Sequence, residues 1–279
     1  MGDVLAGNNA VWEFEPDALV IRYSRGVRGA RLLQALGERR VPHAALTGVT
    51  LAEGRRGTAV LRALPRPGAD PVIEAAAGQL KEAADPYRLV LPEQSRTLGE
   101  FYRDELAAAL AERAAVDGAA HEPAARFLVE PPPVPRSFKA YDAKAYFDGR
   151  TVSFRWFWTG ASTAKWRAGD QTFPVEELRG LDWRSPELMH GHLRLLVRED
   201  PARPAHPTAG SRGAAAGPAG LGGPAEAADE DGTAPVGPGS AADQDPAAVV
   251  FGMGYGPVHE SLPFAAAVLA AIRAARPRP

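Results

Sequence analysis

The chain contains no cysteine. That absence excludes a disulfide framework, a thiolate zinc site and a cysteine nucleophile together. Lysine occurs only at Lys81, Lys139, Lys144 and Lys165, so almost all positive charge is arginine. Neither sign is in excess: 32 Lys plus Arg stand against 34 Asp plus Glu, a formal net charge of −2. A dedicated nucleic-acid binder carries a basic surplus or stripe, so nucleic acid is not an expected partner. Long apolar runs are also missing. The longest, Phe264 to Ile272, has nine residues, whereas a bilayer-spanning helix needs about 20. The segment Met1–Asn9 lacks the basic region and apolar core of a secretory signal, and Ala6 stands where myristoylation requires Ser or Thr. The expectation is a cytoplasmic protein without a transmembrane segment.

What is present is ordinary in bulk: 279 residues, 45% apolar and 24% charged, enough for one large domain or two small ones. About one residue in five is alanine, a skew typical of GC-rich coding, so a single Ala or Arg carries little weight. Two segments break the chain. Pro201 to Pro246 has no Phe, Trp, Tyr or Ile, one Leu (Leu221) and one Val (Val236). It cannot bury enough apolar surface to offset an ordering entropy of about 1–2 kcal/mol per residue, and a disordered insertion is expected. Ala119 to Pro135 ends in Pro131-Pro132-Pro133-Val134-Pro135, which suits an extended, semi-rigid spacer. The resulting division is a first domain at 1–118, a Pro-rich linker at 119–136, and a second domain at 137–279 that holds the 201–246 insertion.

The two folded parts repeat each other. Phe14-Glu15-Pro16-Asp17 followed by Ala18–Tyr23 matches Phe147-Asp148-Gly149-Arg150 followed by Thr151–Trp156 at an offset of 133. Each is an apolar residue, a tight acidic turn and a strand. Gly37 to Val49 and Gly169 to Leu181 then share Gly, an acid, an apolar-Pro pair, Leu, Gly and an aliphatic without a gap. Val60-Leu61 pairs roughly with Leu195-Leu196 as a third strand, and Asp85-Pro86 and Asp245-Pro246 each open a further one. Both parts end in a helix. Thr97 and Glu100 have capping-box spacing, with Leu98, Tyr102, Leu106 and Leu110 on one face. The second helix is expected to start near Ser261, with Pro263 in its first turn and Phe264, Val268, Leu269 and Ile272 inward. Strands followed by one helix, twice, define a duplicated α+β domain in which the helix covers the open end of a bent sheet.

The apolar-Pro-x-x-x-Leu-x-Gly-aliphatic element, the short strands and the terminal helix together resemble bacterial pleckstrin-homology-like (PH-like) domains. In its tandem arrangement, and in the stretch Glu74 to Leu89, the chain resembles the actinobacterial family named domain of unknown function 4429. That resemblance implies two tandem PH-like domains, each a bent antiparallel sheet or half-open barrel capped by its C-terminal helix. It implies no activity and carries over no functional residues.

Candidate chemistry is sparse. Gly252-Met253-Gly254-Tyr255-Gly256 lies between a strand and a helix, where a dinucleotide loop belongs, but no strand follows to complete a βαβ unit. His190 and His192 are expected on one face of a strand, without a third ligand at a telling spacing. Ser162-Thr163-Ala164-Lys165 matches a Ser-x-x-Lys nucleophile pattern without companion motifs. Arg22, Arg25, Arg28 and Arg31 recur every three residues, and four guanidiniums there suit phosphate. The counterpart in the second part holds Arg155, Lys165 and Arg167 among Trp156, Phe157, Trp158 and Trp166, a mixture found at membrane interfaces and peptide grooves. Trp156 and Trp158 also fit core and cross-strand packing. The expected function is a non-catalytic module that binds or scaffolds a protein or peptide, or self-associates, through Arg22, Arg25, Arg28, Arg31, Arg155, Trp156, Trp158, Lys165, Trp166 and Arg167. No catalytic residue, cofactor or metal is expected. The alternative is a peripheral sensor of anionic phospholipid through the Arg series, and a nucleotide-binding enzyme at the 252–256 turn stands third.

Overall fold

The computed structural model describes residues 3–26, 30–117, 122–198 and 241–276. The sequence duplication becomes two units of seven strands each. Unit one opens with an antiparallel meander, β1 (Asp3–Ala6), β2 (Ala10–Phe14), β3 (Ala18–Tyr23) and β4 (Glu38–Pro42), in that spatial order. The helix α1 (Arg31–Leu36) lies between β3 and β4. β3 is apolar on both faces and buried at five of its six positions, which places it inside the sheet. Pro42 ends β4, and a single 3-10 turn, His43–Ala45, redirects the chain. The next strands form a separate sheet, β5 (Leu46–Glu53), β6 (Ala59–Pro65) and β7 (Arg88–Leu91), with α2 (Pro71–Ala76) inserted before β7. The helix α3 (Arg96–Asp117) packs on β5, β6 and β1.

Unit two repeats the scheme. β8 (Arg136–Lys139), β9 (Ala143–Phe147), β10 (Thr151–Trp156) and β11 (Gln171–Pro174) form the four-stranded sheet, with α4 (Thr163–Ala168) before β11. β12 (Leu178–Arg184), β13 (His192–Val197) and β14 (Ala248–Val250) form the three-stranded one. The short helix α5 (Ala241–Gln244) precedes β14, and α6 (Val258–Ala274) follows it. Each unit thus divides its strands between two sheets, where the sequence suggested one bent sheet or half-open barrel. The proline-led corners at Pro42 and Pro174 make the division, and among the described residues no sheet closes into a barrel. Register also corrects the third-strand match. Leu51 faces Leu61, and Trp183 faces Leu193, so Leu61 corresponds to Leu193 rather than Leu196.

The two long helices differ from expectation in instructive ways. α3 starts two residues early, directly after a 3-10 turn at Glu93–Ser95, so Thr97 lies inside the helix instead of capping it. Tyr102, Leu106 and Leu110 are buried, but Leu98 is 45% exposed. Gly99 faces the sheet instead, where an added Cβ would stand 2.5 Å from Leu91 Cδ1. α6 begins at Val258, which puts Pro263 in its second turn. Phe264, Val268 and Ile272 are buried as expected, while Leu269 is half-buried. Yet every residue from Ser261 to Val268 is buried. A helix enclosed on all sides must have neighbours all round. α6 rests on β12 and β8 of its own unit, and α1 and α2 of unit one cover it. Leu32, Val72, Ala75 and Ala76 accordingly belong to the core of unit two.

Polar contacts reinforce this junction. Gln79 donates to the Trp183 carbonyl at 2.9 Å and accepts the Ser185 N–H at 2.9 Å. Arg273 of α6 donates to the Gly68 carbonyl at 2.7 Å and stacks 3.9 Å over the Phe127 ring. The described part of the expected spacer is docked rather than free. Ala124 and Val129 are buried, and Leu128 and Val129 donate to the Ala69 carbonyl. Most of the expected 201–246 insertion lies outside the described residues. Its last residues do not conform, because Ala241–Gln244 is helical and Ala242 is buried.

α2 is held by a buried charge network. Asp70 caps it, accepting the Val72 N–H at 2.8 Å. Its carboxylate takes two bonds from Arg39, at 2.7 and 2.8 Å, and one from the Tyr87 hydroxyl at 2.7 Å. Burial pushes the Asp70 carboxyl up, but the Arg39 guanidinium and these hydrogen bonds prevail and hold it below its ordinary value. A depressed carboxyl contributes stability above its unfolded pKa, about 3.9, and loses it as pH falls through the folded value. The urea midpoint of the chain should therefore drop as pH is taken below about 4. Asp70→Asn should cost about 3–5 kcal/mol at neutral pH and show a flatter acid limb; an acid limb as steep as that of the wild type would contradict the assignment.

The shared core makes a second prediction. Calorimetry should show one cooperative transition for both units, and Phe264→Ala should lower stability by about 3–5 kcal/mol without splitting it. Two resolved transitions in the wild-type chain would contradict a common core.

Candidate interaction surface

The Arg series does not form one cluster, because a three-residue period is helical whereas this segment is strand and then loop. Arg22 lies on β3 with its guanidinium held by Glu13 at 2.5 Å and Glu38 at 2.6 Å. Arg25 is exposed in the loop after β3, Arg28 lies outside the described residues, and Arg31 is exposed at the start of α1. In unit two, Trp156 and Lys165 are buried and belong to the interior, which removes them from any surface. Trp156 closes α4 by donating its indole N–H to the Gly169 carbonyl at 2.7 Å. Lys165 places its ammonium 2.6 Å from Asp142 Oδ2, with both side chains almost fully enclosed. Burial raises the Asp142 carboxyl and lowers the Lys165 ammonium, so desolvation outweighs their attraction in both groups. Ser162 caps α4, its hydroxyl accepting the Lys165 N–H. Both polar groups of the Ser-x-x-Lys pattern are thereby engaged in structure. Arg155 and Arg167 are exposed, Arg155 facing Asp170 at 3.9 Å.

Trp158 and Trp166 do come together. Trp158 follows β10 and Trp166 lies on α4; their rings meet edge to face at 5.4 Å and 83°. Trp158 is 77% exposed and Trp166 49%. Two further turns extend this aromatic end of unit two. The β8–β9 turn presents Tyr141, and the β14–α6 turn presents Met253 and Tyr255, all exposed. Tyr141 and Tyr255 meet edge to face at 6.1 Å. The Lys139 ammonium lies 5.2 Å from the Tyr255 ring centre and 5.3 Å from that of Phe157. The glycine turn owes its composition to packing: a Cβ on Gly252 would stand 3.1 Å from the Tyr141 ring, and Gly254 has φ +80°.

Beside this end lies a groove of about 940 Å³ at the junction of the units. Arg31 and Leu80 line it from unit one, and Leu188, Met189, Met253 and Tyr255 from unit two. Leu188, Met189 and Met253 are exposed at its rim. His190 also lines it, but with φ +59° and outside β13, so it shares no strand face with His192. His192 instead faces Asp182 at 3.2 Å. Among the described residues no three His, Cys, Asp or Glu side chains gather as a metal site.

Sequence reasoning missed Tyr141, Met189, Met253 and Tyr255. One signal was available. The chain has three methionines, and Met189 and Met253 both stand in turns flanked by polar or glycine residues instead of in an apolar run.

Two copies of one strand-rich α+β unit, joined through a shared helix, make this a duplicated tandem-domain protein. A family model described as Domain of unknown function (DUF4429) matches residues 12–107 and again 145–269. The chain belongs to that family. No curated protein matches it.

The division between core and surface tryptophans is testable. Trp158→Ala should change stability by no more than about 0.5 kcal/mol, whereas Trp156→Ala should cost about 3–5 kcal/mol. Equal losses in urea denaturation would refute the placement.

Proposed function

We propose that the chain is a non-catalytic tandem PH-like module that binds a protein segment at the aromatic end of unit two and the adjoining groove. The strand order supports the PH-like reading: a four-stranded meander, a three-stranded meander and a helix laid against the second sheet, twice. The observation that carries the binding reading is a groove lined by exposed Met189, Met253 and Tyr255, with exposed Tyr141 edge to face on Tyr255 and the exposed Trp158–Trp166 pair on the same unit. Soluble monomers rarely leave large contiguous apolar patches uncovered, and aromatics and methionine are the residues enriched at protein interfaces. A groove of this volume accepts several side chains. The non-catalytic reading draws support from where the deeply buried perturbed groups lie. Asp70, Arg39, Tyr87, Asp142 and Lys165 are all buried within the units, away from the groove lining.

Anionic-lipid sensing has weaker support. Arg22 is neutralised by two carboxylates, and Lys81 at the groove faces Glu187 at 3.1 Å.

Selection from a displayed random-peptide library against the full chain should enrich sequences rich in apolar and aromatic residues. Binding of a selected peptide should weaken at least tenfold, about 1.4 kcal/mol, on Trp158→Ala or Met253→Asp, and change little with Arg25→Ala. An unenriched library, together with cosedimentation on phosphatidylserine vesicles that fails at high salt, would reverse the order of the two readings.

A further inference from the structure

We propose that the buried Lys165–Asp142 pair is the positioning device of the aromatic surface, holding the segments that carry Tyr141, Trp158, Trp166 and Tyr255 in one fixed arrangement. The proposal deepens the binding reading and rests on it for its purpose, though not for its geometry.

Asp142 is a junction of four segments. Its Oδ2 accepts from Lys165 Nζ at 2.6 Å, which fixes α4 and with it Trp166. Its Oδ1 accepts the Val250 N–H at 3.0 Å, at the end of β14 where the turn to Met253 and Tyr255 begins. Its own carbonyl accepts the Phe157 N–H at 2.8 Å, next to Trp158. The preceding residue, Tyr141, returns a bond from its N–H to the Val250 carbonyl at 3.0 Å. Lys165 adds a cation–π contact, 5.2 Å to the centre of the Trp156 ring.

The molecule contains its own control. The registers Ala10↔Tyr23 and Ala143↔Trp156 place Asn9 of unit one where unit two has Asp142. Asn9 makes the same strand-end links: its Oδ1 accepts the Val90 N–H at 2.8 Å, its Nδ2 donates to the Arg88 carbonyl at 2.7 Å, and its carbonyl accepts the Ser24 N–H at 2.9 Å. Leu33, buried on α1, occupies the place of Lys165 on α4. The places of Tyr141, Trp158 and Trp166 are held by Asn8, Arg25 and Gln34. An amide and a leucine therefore suffice to build this corner. The charge pair occurs in the unit whose surface is aromatic.

Stability does not account for the substitution. Enclosing two charges costs several kcal/mol per ion, and well-packed apolar replacements are often as stable or more so. What the pair adds is direction. A leucine on α4 tolerates sliding and rotation of a short helix, while a 2.6 Å bond to a carboxylate that is itself held by the Val250 N–H does not.

The test is to give unit two the unit-one solution, Asp142→Asn with Lys165→Leu, in the full chain. The double variant should fold and melt cooperatively. The circular-dichroism couplet from the Trp158–Trp166 pair should fall by at least half, acrylamide quenching of tryptophan should rise, and affinity for the selected peptide should drop at least tenfold. A folded double variant with an unchanged couplet and unchanged quenching overturns the proposal. Should the double variant fail to fold, the wild-type chain labelled with 5-fluorotryptophan decides: one sharp 19F resonance each for Trp158 and Trp166 supports it, and split or broadened resonances overturn it. A wild-type chain that binds no library peptide overturns the binding reading alone, since the couplet still decides the positioning.

Discussion

Everything else in this architecture depends on α6 having no free face. A surface helix buries one stripe and leaves the opposite side to water, as α3 does. α6 is buried along its whole middle turn by turn, on one side by its own sheets and on the other by α1 and α2. Burying an apolar side chain is worth about 1.5–3 kcal/mol, so Phe264, Val268 and Ile272 strengthen a core to which unit one also contributes Leu32, Val72, Ala75 and Ala76. Alanines permit the enclosure. Ala75 and Ala76 on α2 and Ala265, Ala266 and Ala267 on α6 belong to the same core, and small side chains let two helices approach closely. The duplication is therefore asymmetric in its energetics: unit two lends its terminal helix, and unit one lends the cover.

That asymmetry explains why two different charge networks were tolerated in the interior. In unit one the Arg39–Asp70 pair caps α2, the helix that covers α6. The bidentate geometry and the added bonds from Tyr87 and Val72 satisfy every oxygen of the carboxylate, the condition under which a buried ion pair does not destabilise a fold. In unit two the Lys165–Asp142 pair has a single salt-bridging bond and one strand-end N–H. Desolvation dominates there, and both groups are shifted toward their neutral forms. The two pairs thus stand at different points of the same balance between burial and attraction.

The repeat, the strand order and the terminal helices were legible because each leaves a local mark: a turn residue, an alternation, a run of apolar residues at helical spacing. The cover of α6 was not legible in the same way. The sequence predicts one inward face for this helix, Phe264, Val268, Leu269 and Ile272, and which segment covers the other face is a long-range matter, settled by α2 some 190 residues earlier in the chain. α2 itself had a readable start, Asp70-Pro71, an N-cap followed by proline. Likewise Trp156 and Trp158 are two apart and both aromatic, yet only the end of β10 after Trp156 separates core from solvent. A charged residue such as Lys165 reads as surface from composition alone, because its partner, Asp142, is 23 residues away and on another element.

A duplicated domain relieves each copy of some constraints. Once unit one supplies the cover for α6, its own α1 end is drawn into the junction, through Leu32 in the core of unit two. Among the described residues the equivalent end of unit two meets no such neighbour: α4 carries Trp166 outward where α1 carries Gln34. One copy is thus turned inward as a structural partner, and the other leaves Trp158 and Trp166 exposed among the described residues. Exposed aromatics are costly to keep in water without a partner, and rigid ones lose less entropy on binding than mobile ones. On the proposed binding role, an end that is both apolar and tightly bonded from beneath suits recognition, because Trp158 and Met253 would meet a partner already in place.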